Sequence, residues 1–316
     1  MRTTILMLSV DEAQLLEHSL PAAVAQPDAE VVVIDNACED STAGVAERHG
    51  ARRIRLAERR SYCAAINAGI AASDGEAVLL LNADCVLEPD FLAVATEALA
   101  RPGIGSVAPK LIRATGVTPD TRLGTLDTAG MTIDRRRKNG LVGHNAAADA
   151  FSRRAPAFGG DGAAVLYRRE TLEACAVGGE VLDEDFELWA ADADLAWRAQ
   201  LLGWGCIYEP RARAWHVRYY SPSTRPTLDA RHRRLQFRNR YLMIVKNETA
   251  RGLARDWPLI ATYELLALGH ALLRERSLLA GYREAFALLP RARRRRAEIQ
   301  PRRVRRGAPF GLVPPS

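Results

Sequence analysis

The sequence predicts an α/β fold in which a largely parallel sheet is covered by helices on both faces. Through the first hundred residues, short continuous apolar runs alternate with longer segments of helical spacing. Those runs do not alternate apolar with polar, so both faces of each strand are buried, as in a parallel sheet between helical layers. Polar residues follow directly after the runs, at what would be the carboxyl ends of the strands, where open α/β sheets bind ligands.

The elements follow in order. Residues 4–10 read as the first strand and 11–25 as a helix ended by Pro21 or Pro27. The run Val31, Val32, Val33, Ile34 is a buried strand that stops at Asp35-Asn36, and Asp40-Ser41-Thr42 looks like a helix N-cap. Residues 52–56 make a third strand and 61–72 a helix. Residues 77–81 are another apolar run, ending at Asn82-Ala83-Asp84, and Pro89 opens a helix because its fixed φ suits the first turn. After Gly103 the pattern changes. Residues 125–134 and 155–168 read as strands, and 135–149, with weak periodicity, as a mobile loop. Residues 192–202 form a helix, followed by two strands at 206–209 and 212–216. Residues 221–226 are a breaker-rich junction, and 232–246 and 257–289 are helical.

Composition narrows the class of protein. At 316 residues, 48% hydrophobic and 26% charged, the chain is long and apolar enough for a well-buried core. The net charge of +6 is unevenly placed. Residues 290–306 carry nine Arg against one acid, and subtracting that +8 leaves −2 for the rest. A uniformly basic nucleic-acid-binding surface is therefore disfavoured. Five cysteines without a CxxC pair fit reduced thiols better than a disulfide framework or a zinc site. The opening apolar run meets Asp11 and Glu12 too early for a signal peptide or a membrane span. The leucine-rich segment 257–289 is interrupted by Glu264, His270, Arg274 and Glu275, which makes it too polar for a comfortable span.

The acids supply the chemistry. An Asp at a strand end most often caps a helix or binds loop amides. It also suits a hard divalent cation, which takes one or two protein carboxylates and completes its shell with phosphate oxygens and water. Asp84 is the candidate metal ligand and Asp35 a candidate acceptor from a base or ribose. A denser acidic cluster spans Asp183, Glu184, Asp185, Glu187, Asp192 and Asp194, and is followed by Trp197-Arg198. Acids favour a helix start on electrostatic grounds alone. Asp192 and Asp194, two apart on a helix, point in different directions, so one can face a substrate while the other holds the loop or an arginine.

Four stretches carry a resemblance: EVVVIDNACEDST, RRSYCAAINAGIAASDGEAVLLLNADCVLEPDFL, FGGDGAAVLYRRETLEACAVGGEVLDEDFELWAADADLAWRAQLLGWGCIYEPRARAWH and RNRYLMIVKN. In order and spacing, over roughly residues 4–247, they resemble family 2 inverting glycosyltransferases, nearest to the rhamnosyltransferase-like branch. The resemblance implies the GT-A fold, the Rossmann-like mixed sheet of nucleotide-diphospho-sugar transferases with helices on both faces, here with a C-terminal helical extension. It implies a catalytic domain over 1–220, with a donor half to about 110 and an acceptor half beyond it. A helical extension over 221–289 and a basic tail over 290–316, expected to be disordered, would complete the chain.

Roles carry over by position. Asp192 matches the catalytic base. Ser9, Asp35, Asn36, Asn67, Asn82, Ala83 and Asp84 fall on the donor side, with Asp35 on the nucleotide base and Asp84 the last acid of the metal motif. Asp84 and His216 match a site for Mg²⁺ or Mn²⁺. Glu184, Trp189, Asp194 and Arg198 fall on the acceptor side and its loop. The donor would be a nucleoside-diphosphate sugar, dTDP-L-rhamnose first, and the acceptor a lipid-linked or cell-envelope glycan. The basic tail would reach an anionic membrane surface, which places the protein in the cytoplasm, peripheral on the inner face of the plasma membrane, with no nucleic-acid partner.

Three positions depart from the family pattern: Asn82 replaces the first acid of the metal motif, Ala191 stands before Asp192 where an acid is usual, and Val10 follows Ser9 where Asn is common. The first two favour an alternative, a catalytically inactive subunit that keeps the fold. A different nucleotide-sugar-using enzyme is the other alternative. A dehydrogenase or nucleotidyltransferase lacks support, because no glycine-rich phosphate loop follows the first strand.

Overall fold

A computed structural model gives the architecture; it describes residues 1–219, 227–305 and 310–316. The strands are β1 (Thr3–Ser9), β2 (Ala29–Asp35), β3 (Arg52–Arg55), β4 (Ala77–Asn82), β5 (Cys85–Leu87), β6 (Ile104–Ala114), β7 (Arg122–Thr128), β8 (Met131–Ile133), β9 (Asn139–Leu141), β10 (Ala155–Ala157), β11 (Ala164–Arg168) and β12 (Gly205–Val217). The helices are α1 (Ala13–Val24), α2 (Thr42–Arg48), α3 (Tyr62–Ala71), α4 (Phe91–Leu99), α5 (Arg169–Cys175), α6 (Ala191–Leu201), α7 (Ala230–Asn247), α8 (Ala250–Leu273) and α9 (Leu278–Ile299).

The main sheet runs β10-β12-β6-β11-β4-β1-β2-β3, with β5 added beside β12 and β7 beside β6. Its first half is parallel: β4, β1, β2 and β3 pair in one direction, which the apolar runs Ile5–Leu8, Val31–Ile34 and Val78–Leu81 make favourable by filling both faces. Its second half is mixed, since β11 is antiparallel to both β4 and β6 whereas β12 is parallel to β6. One core lies between the sheet and α1, α2 and α4; the other lies beneath α3, α5 and α6 and takes in Leu242 and Met243 of α7 and Ala292 and Ile299 of α9. The helical extension therefore shares a core with the sheet.

The structure departs from several sequence expectations. Residues 206–216 lie in one strand, β12, whose register slips between Glu209 and Arg213. Pro210 lies inside that slip, and since proline cannot donate to the ladder it is tolerated at such an irregularity while reading as a strand break in the sequence. Residues 135–149 are built into the protein: β9 pairs with β8, and Arg137 is fully buried. The segment 257–289 is two helices, α8 and α9, separated at Arg274–Ser277. The basic tail is ordered in its first part, because α9 continues to Ile299. Ser41 occupies the cap position of α2 without a side-chain bond; Asp40 Oδ1 accepts instead from the Thr42 amide and hydroxyl. Gly159 is a close-packing site: a Cβ there would stand 2.4 Å from the Ala196 Cβ of α6. The expected junction at 221–226 lies outside the described residues.

Candidate active site

The carboxyl ends of β1, β2 and β4 open on a cavity of about 420 Å³ lined by Glu12, Asn36, Arg59, Arg60, Asn82, Ala83 and Asp84, with Arg231 and His232 of α7 on its far side. A second cavity, about 160 Å³, adjoins it and is lined by Asp161, Gly162, Trp189, Asp192, His216 and Arg218. Tyr62, Asn82 and Leu188 line both, so the two cavities meet along a common wall.

Strand pairing builds the Asp84–His216 corner. β5 pairs antiparallel with β12, opposing Cys85 to His216, and the Val217 amide donates to the Asp84 carbonyl at 3.1 Å. This register brings His216 Nε2 to 3.3 Å from Asp84 Oδ1. On its other side His216 Nδ1 lies 2.9 Å from Asp127 Oδ2, supplied by β7 through its pairing with β6. Burial would lower the His216 pKa, but Asp127 and Asp84 outweigh it and raise it to about 9. A histidine held at one nitrogen by a buried carboxylate, its other nitrogen beside a second carboxylate, is how proteins orient an imidazole toward a metal. Asp84 and His216 are the side chains that could hold a divalent cation here. Asp84, Asp127 and His216 are all buried.

Arg218 ties this corner to the second cavity. Its Nε donates to Asp127 Oδ1 at 2.6 Å, and its Nη2 donates to Asp127 Oδ2 and to Asp161 Oδ2, each at 2.9 Å. Asp192, in the first turn of α6, accepts from the Ala193 amide at 2.8 Å and the Gly162 amide at 3.2 Å. Burial first, and then the charge of Asp161, raise its pKa to about 6, although both amides pull it down. Two non-glycine residues just before α6, Glu187 and Ala190, hold positive φ, at 63° and 62°, backbone that clusters at sites where the chain must present a side chain. Glu12, across the first cavity, is pushed up to about 7 by burial and by the charge of Asp84.

The sequence-named residues divide. Asn36, Asn82, Ala83 and Asp84 line the first cavity, and Asp192, His216 and Trp189 the second. Asn36 braces its wall by exchanging bonds with the backbone of Arg60. Asp35 lines neither cavity. Its carboxylate accepts from the Cys38 amide at 2.8 Å, Arg53 at 2.7 Å and Arg55 at 3.1 Å. Burial alone would raise its pKa, but these bonds hold it below the ordinary carboxylate value. Ser9 is buried against Thr42, and Asn67 exchanges bonds with the backbone of Leu182 while donating to Glu184. Asp194 points inward, accepting from Arg198 at 2.9 Å, Lys246 at 2.9 Å and Asn247 at 2.7 Å. Arg198 is itself buried on the carbonyls of Cys175 and Val181. Glu184, Asp194 and Arg198 thus shape the loop and α6, away from both cavities.

Asp127, Asp161, Arg218 and Tyr62 were not legible as site residues. A separate group with metal-like spacing, Asp11, Cys38 and Asp40, is committed to Arg59 and to the amides of Glu39, Ala13 and Thr42. All five cysteines are free and buried.

A sheet with a parallel half and a mixed half, covered by helices and opening on two joined cavities at its carboxyl edge, is the GT-A fold. Residues 4–172 match the model of Glycosyl transferase family 2, and the chain belongs to that family. Poly-beta-1,6-N-acetyl-D-glucosamine synthase of Staphylococcus epidermidis is 22% identical over 221 residues, 67% of this chain and 49% of that protein. The chain spans 23% to 49% of the length of the first curated relatives it matches. Two solved structures share the fold. The mannosyltransferase PcManGT from Pyrobaculum calidifontis, in complex with GDP-Man and Mn²⁺, aligns with a TM-score of 0.54 at 19% identity, covering 92% of this chain and 87% of the other. S. aureus TarS 1-349, in complex with UDP-GlcNAc, gives 0.59 at 14% identity, covering 95% and 89%.

Proposed function

We propose that this glycosyltransferase moves a sugar from a nucleoside-diphosphate donor to an acceptor hydroxyl with inversion, in one displacement. The observation that carries the proposal is Asp192, a carboxylate raised to about 6 in a cavity that adjoins the Asp84–His216 corner. The first cavity has the size of a nucleotide site, and Arg59, Arg60 and Arg231 line it together with the acids Glu12, Asp84 and Glu187. Asp192 would take the proton from the acceptor oxygen as that oxygen attacks the anomeric carbon and the nucleoside diphosphate departs. A positioned base of this kind contributes about 10²–10⁴-fold. Asp161 and Arg218 fix the charge beside it. A divalent cation on Asp84 and His216 would neutralise charge on the departing diphosphate when bound.

The finer reading takes dTDP-L-rhamnose as donor, from the resemblance to the rhamnosyltransferase-like branch, and a lipid-linked or cell-envelope glycan as acceptor. The names of the curated relative and of TarS, with its UDP-GlcNAc, support a nucleotide-sugar donor and leave the sugar open. The test is a melting series with nucleoside diphosphates, with and without Mn²⁺ or Mg²⁺. A ligand at 100 times its Kd stabilises by about 2.7 kcal/mol. The expected result is a shift for one base that requires metal and disappears in Asp84→Ala. No shift with any nucleotide would refute the donor assignment. In a coupled transfer assay, Asp192→Asn should retain donor binding and lose turnover; wild-type turnover would remove Asp192 from the role of base.

A further inference from the structure

Part of the basic tail that the sequence offers for membrane contact is engaged within the protein. Arg291 and Arg295 pair with Asp185 and Glu180, Arg296 donates to the carbonyls of Val245 and Glu248, and Arg305 donates to Gln200. The leucine-rich helix before the tail carries a second surface. Over residues 257–273 of α8 the only charged side chain is Glu264, and it turns inward to bond Arg240 at 2.6 Å and Tyr241 at 2.5 Å. The outward side carries Trp257, Leu259, Leu265, Leu266, Leu272 and Leu273, with Leu265, Leu266 and Leu273 exposed by 72%, 69% and 83%. This is an apolar face about 25 Å long at a rise of 1.5 Å per residue. Soluble surfaces rarely leave such a face uncovered.

Charge identifies the occupant. Arg251 and Arg255 stand exposed at one end of the face, and Arg274 and Arg276 at the other. The acids near those ends are turned away: Asp256 is buried among Arg135, Arg137 and Arg255, and Glu275 pairs with Arg233. An apolar helix face with cations at both ends and no outward acid matches the chemistry of an anionic lipid surface. Among the described residues no helix is long and apolar enough to cross a membrane, so this helix would lie along one.

We propose that the outward face of α8 docks the enzyme on an anionic lipid bilayer. Glu264 ties α8 to α7, and α7 contributes Arg231 and His232 to the first cavity, so docking would hold the cleft beside the bilayer. Its use in presenting a lipid-linked acceptor rests on the acceptor reading above; the surface itself does not.

The test is co-sedimentation of the full chain with phosphatidylcholine vesicles, with and without phosphatidylglycerol. The wild type should sediment with the anionic vesicles. Leu265→Glu combined with Leu266→Glu and Leu273→Glu should weaken that by about tenfold or more, since each substitution removes apolar burial and adds a repelled charge. Arg274→Glu with Arg276→Glu should abolish the preference for anionic lipid. The nucleotide-dependent melting shift of every variant serves as the control for folding and for the donor site. Absence of wild-type binding, or undiminished binding by the leucine variant, would overturn the proposal. So would a wild-type dimer that the leucine variant dissociates without any vesicle binding, because the face would then belong to a second copy. Vesicle binding without transfer to any lipid-linked glycan would refute the acceptor reading and leave the docking surface standing.

Discussion

The proposed role of Asp192 as base opposes its burial, and pH separates the two. Its folded pKa of about 6 lies above the ordinary Asp value near 3.8, so folding disfavours the ionised form that a base requires. Transfer should rise with pH through about 6 and then level off. Asp161→Asn removes the neighbouring like charge and should move that limb to lower pH, which a pH profile of kcat/KM would detect. Stability should respond with the opposite sign. The destabilisation by ionised Asp192 appears above pH 4 and is complete above pH 6. Asp192→Asn should therefore melt higher than wild type at pH 8 but not at pH 4, by at most about 3 kcal/mol for a shift of about two units. A variant that melts lower at pH 8 would contradict this environment. Asp192 and Asp84 could be found in the sequence because each falls at the end of a recognisable run. Asp127, Asp161 and Arg218 could not, because they meet only in the fold: the pairing of β7 with β6 and of β6 with β12 brings Asp127 to Arg218, and Asp161 joins them from the loop before β11. Asp35 stood at a legible strand end, yet nothing local announced that Arg53 and Arg55 of β3 would engage it.

The parallel half of the sheet was legible because its strands are buried on both faces and read as unbroken apolar runs. β12 was read as two strands because Pro210 breaks the pattern without breaking the strand. The break between α8 and α9 escaped notice because Arg274–Ser277 contains no proline or glycine. The 135–149 segment hides its anchor in a run of three arginines, of which only Arg137 is wholly buried. Arg137 pairs with Glu248 and, at 2.7 Å, with Asp256, and its guanidinium lies 4.3 Å from the centre of the Phe310 ring. It thereby clamps the β8–β9 hairpin to the start of α8. Arg137→Met should cost about 3–5 kcal/mol, since it leaves Glu248 buried without its cation. Arg136→Met, which removes an exposed pair with Asp134, should change stability by less than about 1 kcal/mol. Urea unfolding of the two variants side by side would decide, and equal midpoints would refute the clamp.

The joint between the sheet and the helices α7 and α9 sets how the chain can be cut. Composition places a boundary near residue 290, where arginines crowd together, and sequence alone reads residues 290–316 as a disordered tail. The packing contradicts that reading. Ile299 is 1% exposed in the core beneath α6, Gln300 donates to the carbonyls of Lys246 and Asn247, and the Val304 amide donates to Leu201 at the end of α6. Arg295 reaches Asp183, which also holds the buried Lys246, and Lys246 in turn holds Asp194 in the helix that presents Asp192. Residues 290–305 are thus a strap across the back of the active-site helix. Ile299→Ala should cost about 2–5 kcal/mol, the range for a buried large-to-small change. Deleting residues 290–316 should cost more, and it should weaken nucleotide-dependent stabilisation as well, because the support of α6 goes with it. Differential scanning of the full chain, Ile299→Ala and the truncation, each with and without the nucleotide that shifts wild type, would measure both effects. A truncation that melts like the full chain would return the tail to the role its composition suggests. A progressive loss from the point variant to the truncation would establish that the extension and the catalytic sheet unfold as one cooperative unit.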